Sequence, residues 1–205
     1  MKKTYMFAAI SIFFWSTVAT VSKLLLGDLT SFQVLSVSAL FGGVFLLIVN
    51  LVTGNIKQLK TYTLKDFLIT ALIGIPGTFF YYVFYYTGTS MMPASQAFIV
   101  NYLWPIMSVV FACIILRERM TIRKGFAFAL SFAGVLIVTG KELLDFHANI
   151  LMGAMFCTLG AVSYGIFTAL NQKFKYDKRL SMMIYYFISF ILTSVINLAN
   201  GSTLR

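Results

Sequence analysis

Between Phe67 and Leu116 the chain runs for 50 residues without one acidic or basic side chain. A hydrocarbon core about 30 Å thick takes about 20 helical residues to cross. The stretch is too long for one span and fits two, dividing at Thr87-Gly88-Thr89-Ser90-Met91-Met92-Pro93, a Gly/Ser/Pro turn signal. Thr4–Ser22, Leu29–Ile56, Ala148–Gln172 and Leu180–Leu204 are also uncharged and long, and the shorter apolar run Gly125–Gly140 supplies one more crossing. Seven helices are predicted, near residues 5–26, 31–53, 67–87, 93–116, 123–141, 149–171 and 180–199. Hydrophobic residues make up 60% of the chain and charged ones 11%, against about 45–50% and about 25% in soluble domains. So few charges cannot cover a water-soluble globule. The expected fold is an all-α polytopic membrane protein with the lipid bilayer as its surroundings.

The formal net charge of +10 fits that reading better than a nucleic-acid partner, because the basic residues fall in short clusters between apolar runs. With the N-terminus inside, cytoplasmic segments hold Lys2, Lys3, Lys57, Lys60, Lys65, Arg117, Arg119, Arg123, Lys124, Lys173, Lys175, Lys178 and Arg179, which is 13 of 16 basic residues. Only Lys23, Lys141 and Arg205 fall on the other side. The N-terminus is therefore expected in the cytoplasm. Met1-Lys2-Lys3 ahead of an apolar run also resembles a signal peptide, but no small-residue cleavage pattern precedes Asp28, which favours an uncleaved first helix. Cys113 and Cys157 lie inside apolar runs without metal-type spacing and read as buried, inert thiols.

Helix 1 carries Phe14-Trp15-Ser16-Thr17-Val18-Ala19-Thr20-Val21-Ser22-Lys23, and helix 6 echoes it weakly with Ser163-Tyr164-Gly165-Ile166-Phe167-Thr168-Ala169-Leu170-Asn171-Gln172-Lys173. The offset is five helices. An odd-numbered repeat must be inverted in the membrane, as in many transporters. On that reading residues 1–145 form a first unit of five helices and 146–205 begin a second, incomplete one, so that seven of ten crossings are present.

Val100-Asn101-Tyr102-Leu103-Trp104-Pro105 in helix 4, with Gln96 five residues before Asn101, Phe14-Trp15-Ser16-Thr17 in helix 1, and Arg117-Glu118-Arg119 followed by Gly125 and Gly134 resemble the EamA-type branch of the drug/metabolite transporter superfamily. The bacterial aromatic amino acid exporter subgroup is the nearest match. The resemblance implies inverted five-helix repeats in a bacterial inner membrane, a cavity among helices 1, 3, 4, 6, 8 and 9, and alternating-access export of amino acids or related small metabolites. It implies no cofactor.

Polar groups that stay inside a bilayer are candidates for function. Pro105 lacks an N–H, so the Asn101 carbonyl loses its helical partner four residues on. Gln96, Asn101, Tyr102 and Ser108 add hydrogen-bonding capacity to the same helix, enough for the ammonium and carboxylate of an amino acid; the bland reading is a kink repaired by a neighbouring helix. Phe79–Tyr86 holds seven aromatics in eight residues, and Tyr82 and Tyr86 share a face on which a flat substrate would stack. The alternative is an interfacial belt, which suits Tyr85 and Tyr86. Trp15 and Tyr164 hold matching places in the two units and are assigned to the cavity, beside Tyr82, Gln96, Asn101, Tyr102, Trp104 and Pro105. Lys23 is expected to snorkel to the headgroups, His147 to sit solvated in an outer loop, and Glu118, flanked by Arg117 and Arg119, to form a salt-bridged helix terminus in preference to a gate. All six acidic residues fall in loops or at helix ends. That argues against a proton-coupled efflux mechanism with an embedded glutamate, which stays open as an alternative. A membrane enzyme would need a His/Asp/Glu cluster or a nucleophile with its base; that reading and a sensor are the remaining alternatives.

Overall fold

Helix starts are written locally. Thr30 caps Ser31–Val52 (α2) in a reciprocal box with Gln33, and Thr63 caps Leu64–Gly74 (α3) in the same way with Asp66. The Asp177 carboxylate accepts from the backbone N–H groups of Arg179 and Leu180 at the head of Lys178–Ala199 (α9). The remaining helices are Lys2–Leu25 (α1), Tyr81–Met91 (α4), Ala94–Asn101 (α5), Trp104–Ile115 (α6), Ile122–Leu144 (α7) and Ala148–Lys173 (α8), with a short 3₁₀ segment at Asn55–Thr61. The computed structural model describes residues 2–144 and 148–201. Among them there are helices and no strands.

Among the described residues six segments are long and apolar enough to cross a membrane: Tyr5–Leu25, Ser31–Val52, Leu64–Met91, Ala94–Ile115, Ala148–Lys173 and Lys178–Ala199. The chain is a multi-pass membrane protein. The third and fourth of these are each assembled from pieces. α3 and α4 join through a π-helical turn at Ile75–Phe80, which contains Pro76 and Gly77. α5 ends at Asn101 and α6 starts at Trp104, with Pro105 as its second residue. Both breaks follow from local chemistry. Proline removes a hydrogen-bond donor and crowds the preceding turn, so the ladder must widen or restart.

α2 and α9 lie antiparallel along their whole length. Asn197 donates to the Phe32 carbonyl at one end, Ser36 meets Ser194 next, and Asn50 donates to the Arg179 carbonyl at the other. Gly42 and Gly43 admit the rings of Tyr186 and Phe187 between them. α8 runs through the middle, against α4 on one side and α6 on the other. A Cβ on Gly88 would fall 2.6 Å from the Gly153 carbonyl oxygen, and one on Gly165 would fall 2.7 Å from Met107. Small residues bring these helices into backbone contact, the usual packing device where no hydrophobic force separates helix from lipid.

The chain turns later than a loop beginning at Thr87 requires. Those residues are helical and the turn is confined to Met92–Pro93. Gly88 is held in the helix by its contact with Gly153. The Thr89 hydroxyl donates back to the Tyr85 carbonyl and that of Ser90 to the Thr87 carbonyl, so polar side chains that suggest a loop satisfy themselves on the helix. The segment expected at 123–141 is a helix over Ile122–Leu144. Asp145 and His147 lie outside the described residues.

Candidate functional site

The two discontinuities face each other. Tyr81, the first residue after the π turn, accepts a 3.0 Å hydrogen bond on its phenol oxygen from Asn101 Nδ2, and Asn101 is the last residue of α5. Both side chains are buried. The Asn101 Oδ1 atom is buried with no partner, which leaves one strong acceptor open at the junction. Beyond it, Met107 donates to the Leu103 carbonyl and α6 resumes.

Aromatic rings enclose this junction. The Tyr81 and Tyr164 rings are 4.8 Å apart, Tyr164 meets Trp104 edge to face at 5.2 Å, and Tyr81 touches Tyr82 at 4.8 Å. Tyr82, Asn101, Trp104 and Tyr164, drawn from three parts of the chain, thus gather around Tyr81. Gln96 is buried one helical stretch earlier in α5, and Pro105 stands half-buried at the start of α6. Trp15 and Tyr102 lie together elsewhere. They line a cleft of about 380 Å³ between α1 and α5 with Ser11, Ser16 and Phe98. A second hollow of about 570 Å³ lies between α6, α8 and α9, bordered by Tyr164, Ser108, Thr168 and Asn171 and reaching Glu118 and Lys178. The break in the fourth crossing stands between the two. Tyr102 faces the first hollow, while Trp104 packs on Tyr164, which borders the second.

Several expectations need correction. Tyr85 and Tyr86 are core residues at 2% and 5% exposure and form no interfacial belt, because this end of α4 is covered by α8 and α2. Lys23 does not snorkel. Its ammonium donates to the carbonyl oxygens of Thr89 (2.7 Å), Ser90 (3.1 Å) and Met92 (3.0 Å), closing the C-terminal end of α4. Glu118 is salt-bridged as expected, to Lys124 at 3.0 Å, where the chain turns through Arg117 at φ 57°. Tyr81 escaped the sequence reading. It shares a face with Tyr85, and their rings stack at 6.0 Å, so the informative i,i+4 pair in the aromatic run is the one beside Tyr82 and Tyr86.

The helical face around the π turn carries its own polar set. Ser189 of α9 donates to the Thr78 hydroxyl at 2.7 Å, and Thr78 lies 2.9 Å from the Gly74 carbonyl that the turn loosens. At the end of the bundle where the basic clusters gather, Tyr176 donates to Asp66 at 3.1 Å; loss of water around the phenol and the nearby carboxylate raise its pKa above the ordinary value. Among the described residues no three His, Cys, Asp or Glu side chains come together as metal ligands would.

A helical bundle whose central crossings break inside the membrane, with unpaired polar groups at the break, has the build of a membrane transporter. The chain belongs to the EamA-like transporter family, whose profile matches residues 2–140. It is 23% identical over 166 residues to the aromatic amino acid exporter YddG of Ancylobacter novellus, covering 80% of this chain and 56% of that protein. It is 24% identical over 111 residues to the S-adenosylmethionine uptake transporter of Rickettsia prowazekii (54% of this chain, 36% of that one). An uncharacterized transporter of Archaeoglobus fulgidus is 24% identical over 165 residues, covering 80% and 57%. The chain spans roughly a third to just over half the length of these relatives. No solved structure gives a significant match.

Proposed function

We propose that the chain forms the first five-helix unit (1–145) and the opening of an inverted second unit (146–205) of a transporter that exports amino acids or related small metabolites by alternating access. The observation that carries this reading is the hydrogen bond from Asn101 to Tyr81, which ties two broken crossings together between two separate hollows. Broken helices place backbone and side-chain polar groups at membrane depth, where a substrate's charged head must be received. Asn101 and the carbonyl freed by Pro105 take that head, and Tyr82, Trp104 and Tyr164 take its apolar part. Gln96 supports α5, while Trp15 and Tyr102 line the way in. The family match ending at residue 140 supports the unit boundary. Seven crossings are supported by connectivity. α6 and α8 run parallel, so α7, 23 residues and about 35 Å long, has to return the chain. The gathering of basic loops at one end supports a cytoplasmic N-terminus in a bacterial inner membrane.

The names of the relatives favour a second reading for direction alone, since some are exporters and others uptake transporters. Counterflow of a labelled aromatic amino acid, in vesicles carrying the complete transporter, tests the site. Asn101→Leu is expected to weaken apparent affinity by about 1–3 kcal/mol. Unchanged affinity in protein that inserts normally overturns the assignment of Asn101 to the substrate.

A further inference from the structure

Outside the hollows already described, a groove of about 440 Å³ runs between α2 and α9, walled by Gly42, Phe45, Leu46, Met182 and Tyr186 and ending at Lys178 and Arg179. Its body is apolar through Phe45, Leu46, Met182 and Tyr186, and it stays open because position 42 has no side chain: a Cβ there would stand 3.3 Å from the Tyr186 ring. Its mouth is cationic. Asn50, fully buried in α2, donates to the Leu46 carbonyl (2.8 Å) and the Arg179 carbonyl (3.3 Å), which pins the first turn of α9 over the end of the groove.

Those two cations stand where a helix least favours them. Lys178 and Arg179 open α9, at the positive end of its macrodipole. Among the described residues no carboxylate stands within ion-pair distance of them. Asp177 directs its oxygen to the N–H groups of Arg179 and Leu180, Asp66 is bound by Thr63 and Tyr176, and Glu118 is paired with Lys124. Lys173 and Lys175 in the preceding turn add further positive charge. Both Lys178 and Arg179 are exposed and neither is in an ion pair among the described residues. A free anion would neutralise them but has no use for an apolar groove below. A zwitterionic lipid would fill the groove, but the cation in its headgroup would offset part of what its phosphate gives.

We infer that this groove binds an anionic phospholipid, its phosphate on Lys178 and Arg179 and one acyl chain along α2 and α9. Charge at the rim and apolar walls below follow the two halves of that molecule. The groove opens apart from the junction assigned to the substrate, and shares Lys178 and Met182 with the hollow between α6, α8 and α9.

The test is lipid retention by the purified protein in detergent, read by native mass spectrometry and by thermal shift. Phosphatidylglycerol, phosphatidylcholine and inorganic phosphate are the three probes. Phosphatidylglycerol is expected to be retained about tenfold over phosphatidylcholine, and the double variant Lys178→Gln/Arg179→Gln to bring that ratio within about twofold. Arg179→Gln alone touches neither the hollow nor any side-chain hydrogen bond, and is expected to lower the ratio by about threefold. Lys57→Gln/Lys60→Gln removes the same charge from another loop at the same end and is expected to leave the ratio unchanged. Equal retention of the two lipids overturns the inference, as does a preference that survives in Arg179→Gln and the double variant. A loss as large in the Lys57/Lys60 variant would reduce the effect to general attraction. An equal thermal shift from inorganic phosphate would make the site one for a free anion and the groove irrelevant.

Discussion

The α2/α9 pair and the α3–α4/α5–α6 pair occupy the same bundle, and both bury polar side chains, yet they handle them in opposite ways. In α2/α9 both helices are continuous, and Asn50, Ser36, Ser194 and Asn197 each bond across or along the pair from end to end. In the other pair both crossings are interrupted, and the single Asn101–Tyr81 bond joins the interruptions while leaving Asn101 Oδ1 open. Asn50 Oδ1 is unpartnered too. The difference is in the surroundings. Asn50 bonds to carbonyls of helices that have nowhere to go, whereas Asn101 ends one helix beside aromatic rings that border a hollow. A buried amide reads as glue on a straight helix and as a site on a broken one.

Glycine replacements should give the largest contrast. An Ala Cβ at Gly77 would fall 2.2 Å from the Phe167 ring, whereas at Gly43 it would meet Phe187 at an ordinary 3.4 Å. Gly77→Ala is expected to cost about 1–3 kcal/mol or more through overpacking, and Gly43→Ala well under that. Thermal unfolding in detergent reads both. If the two cost the same, the π turn is as tolerant as the straight pair and the contrast fails.

Next come the two asparagines. Asn50→Leu is expected to lower stability by about 1–3 kcal/mol by leaving the Arg179 carbonyl unmet, with the affinity of the protein that remains unchanged. Asn101→Leu should show the reverse balance, and Tyr81→Phe should keep the ring cluster while releasing the amide. Substrate counterflow beside thermal unfolding separates these outcomes. Pro105→Ala is a smaller change. It returns an N–H to the Asn101 carbonyl, so α5 and α6 should merge and turnover should fall while stability moves by no more than about 1 kcal/mol. Ser36→Ala should touch stability alone and leave turnover unchanged. It removes one 3.2 Å contact with Ser194 and is expected to shift stability by about 0.5–1.5 kcal/mol, the usual net worth of such a bond.

The apolar spans were legible because lipid demands uninterrupted hydrophobic length, and that demand is written residue by residue. Pro105 announced its break for the same local reason. What stayed hidden was set by contacts distant in sequence. Tyr81 and Tyr82 are adjacent aromatics of equal composition, and only the approach of α5 and α8 decides which one bonds Asn101. The helical state of Thr87–Ser90 depends on Gly153, more than sixty residues away. The partners of Lys23 lie a similar distance along the chain.

All three hydrogen bonds of the Lys23 ammonium end on backbone oxygens, so the clasp between α1 and the end of α4 does not read the side chains of Thr89, Ser90 or Met92. The clasp itself therefore tolerates other side chains at those positions, provided the helix still ends there. Lys23 itself has no such freedom. An arginine offers its donors in a flat fork and cannot converge on three oxygens around one point. A mutational scan would therefore find Lys23 intolerant and the exposed Ser90 permissive, with Thr89 and Met92 held by burial and not by the clasp, an asymmetry that pairwise covariation between residues would never reveal.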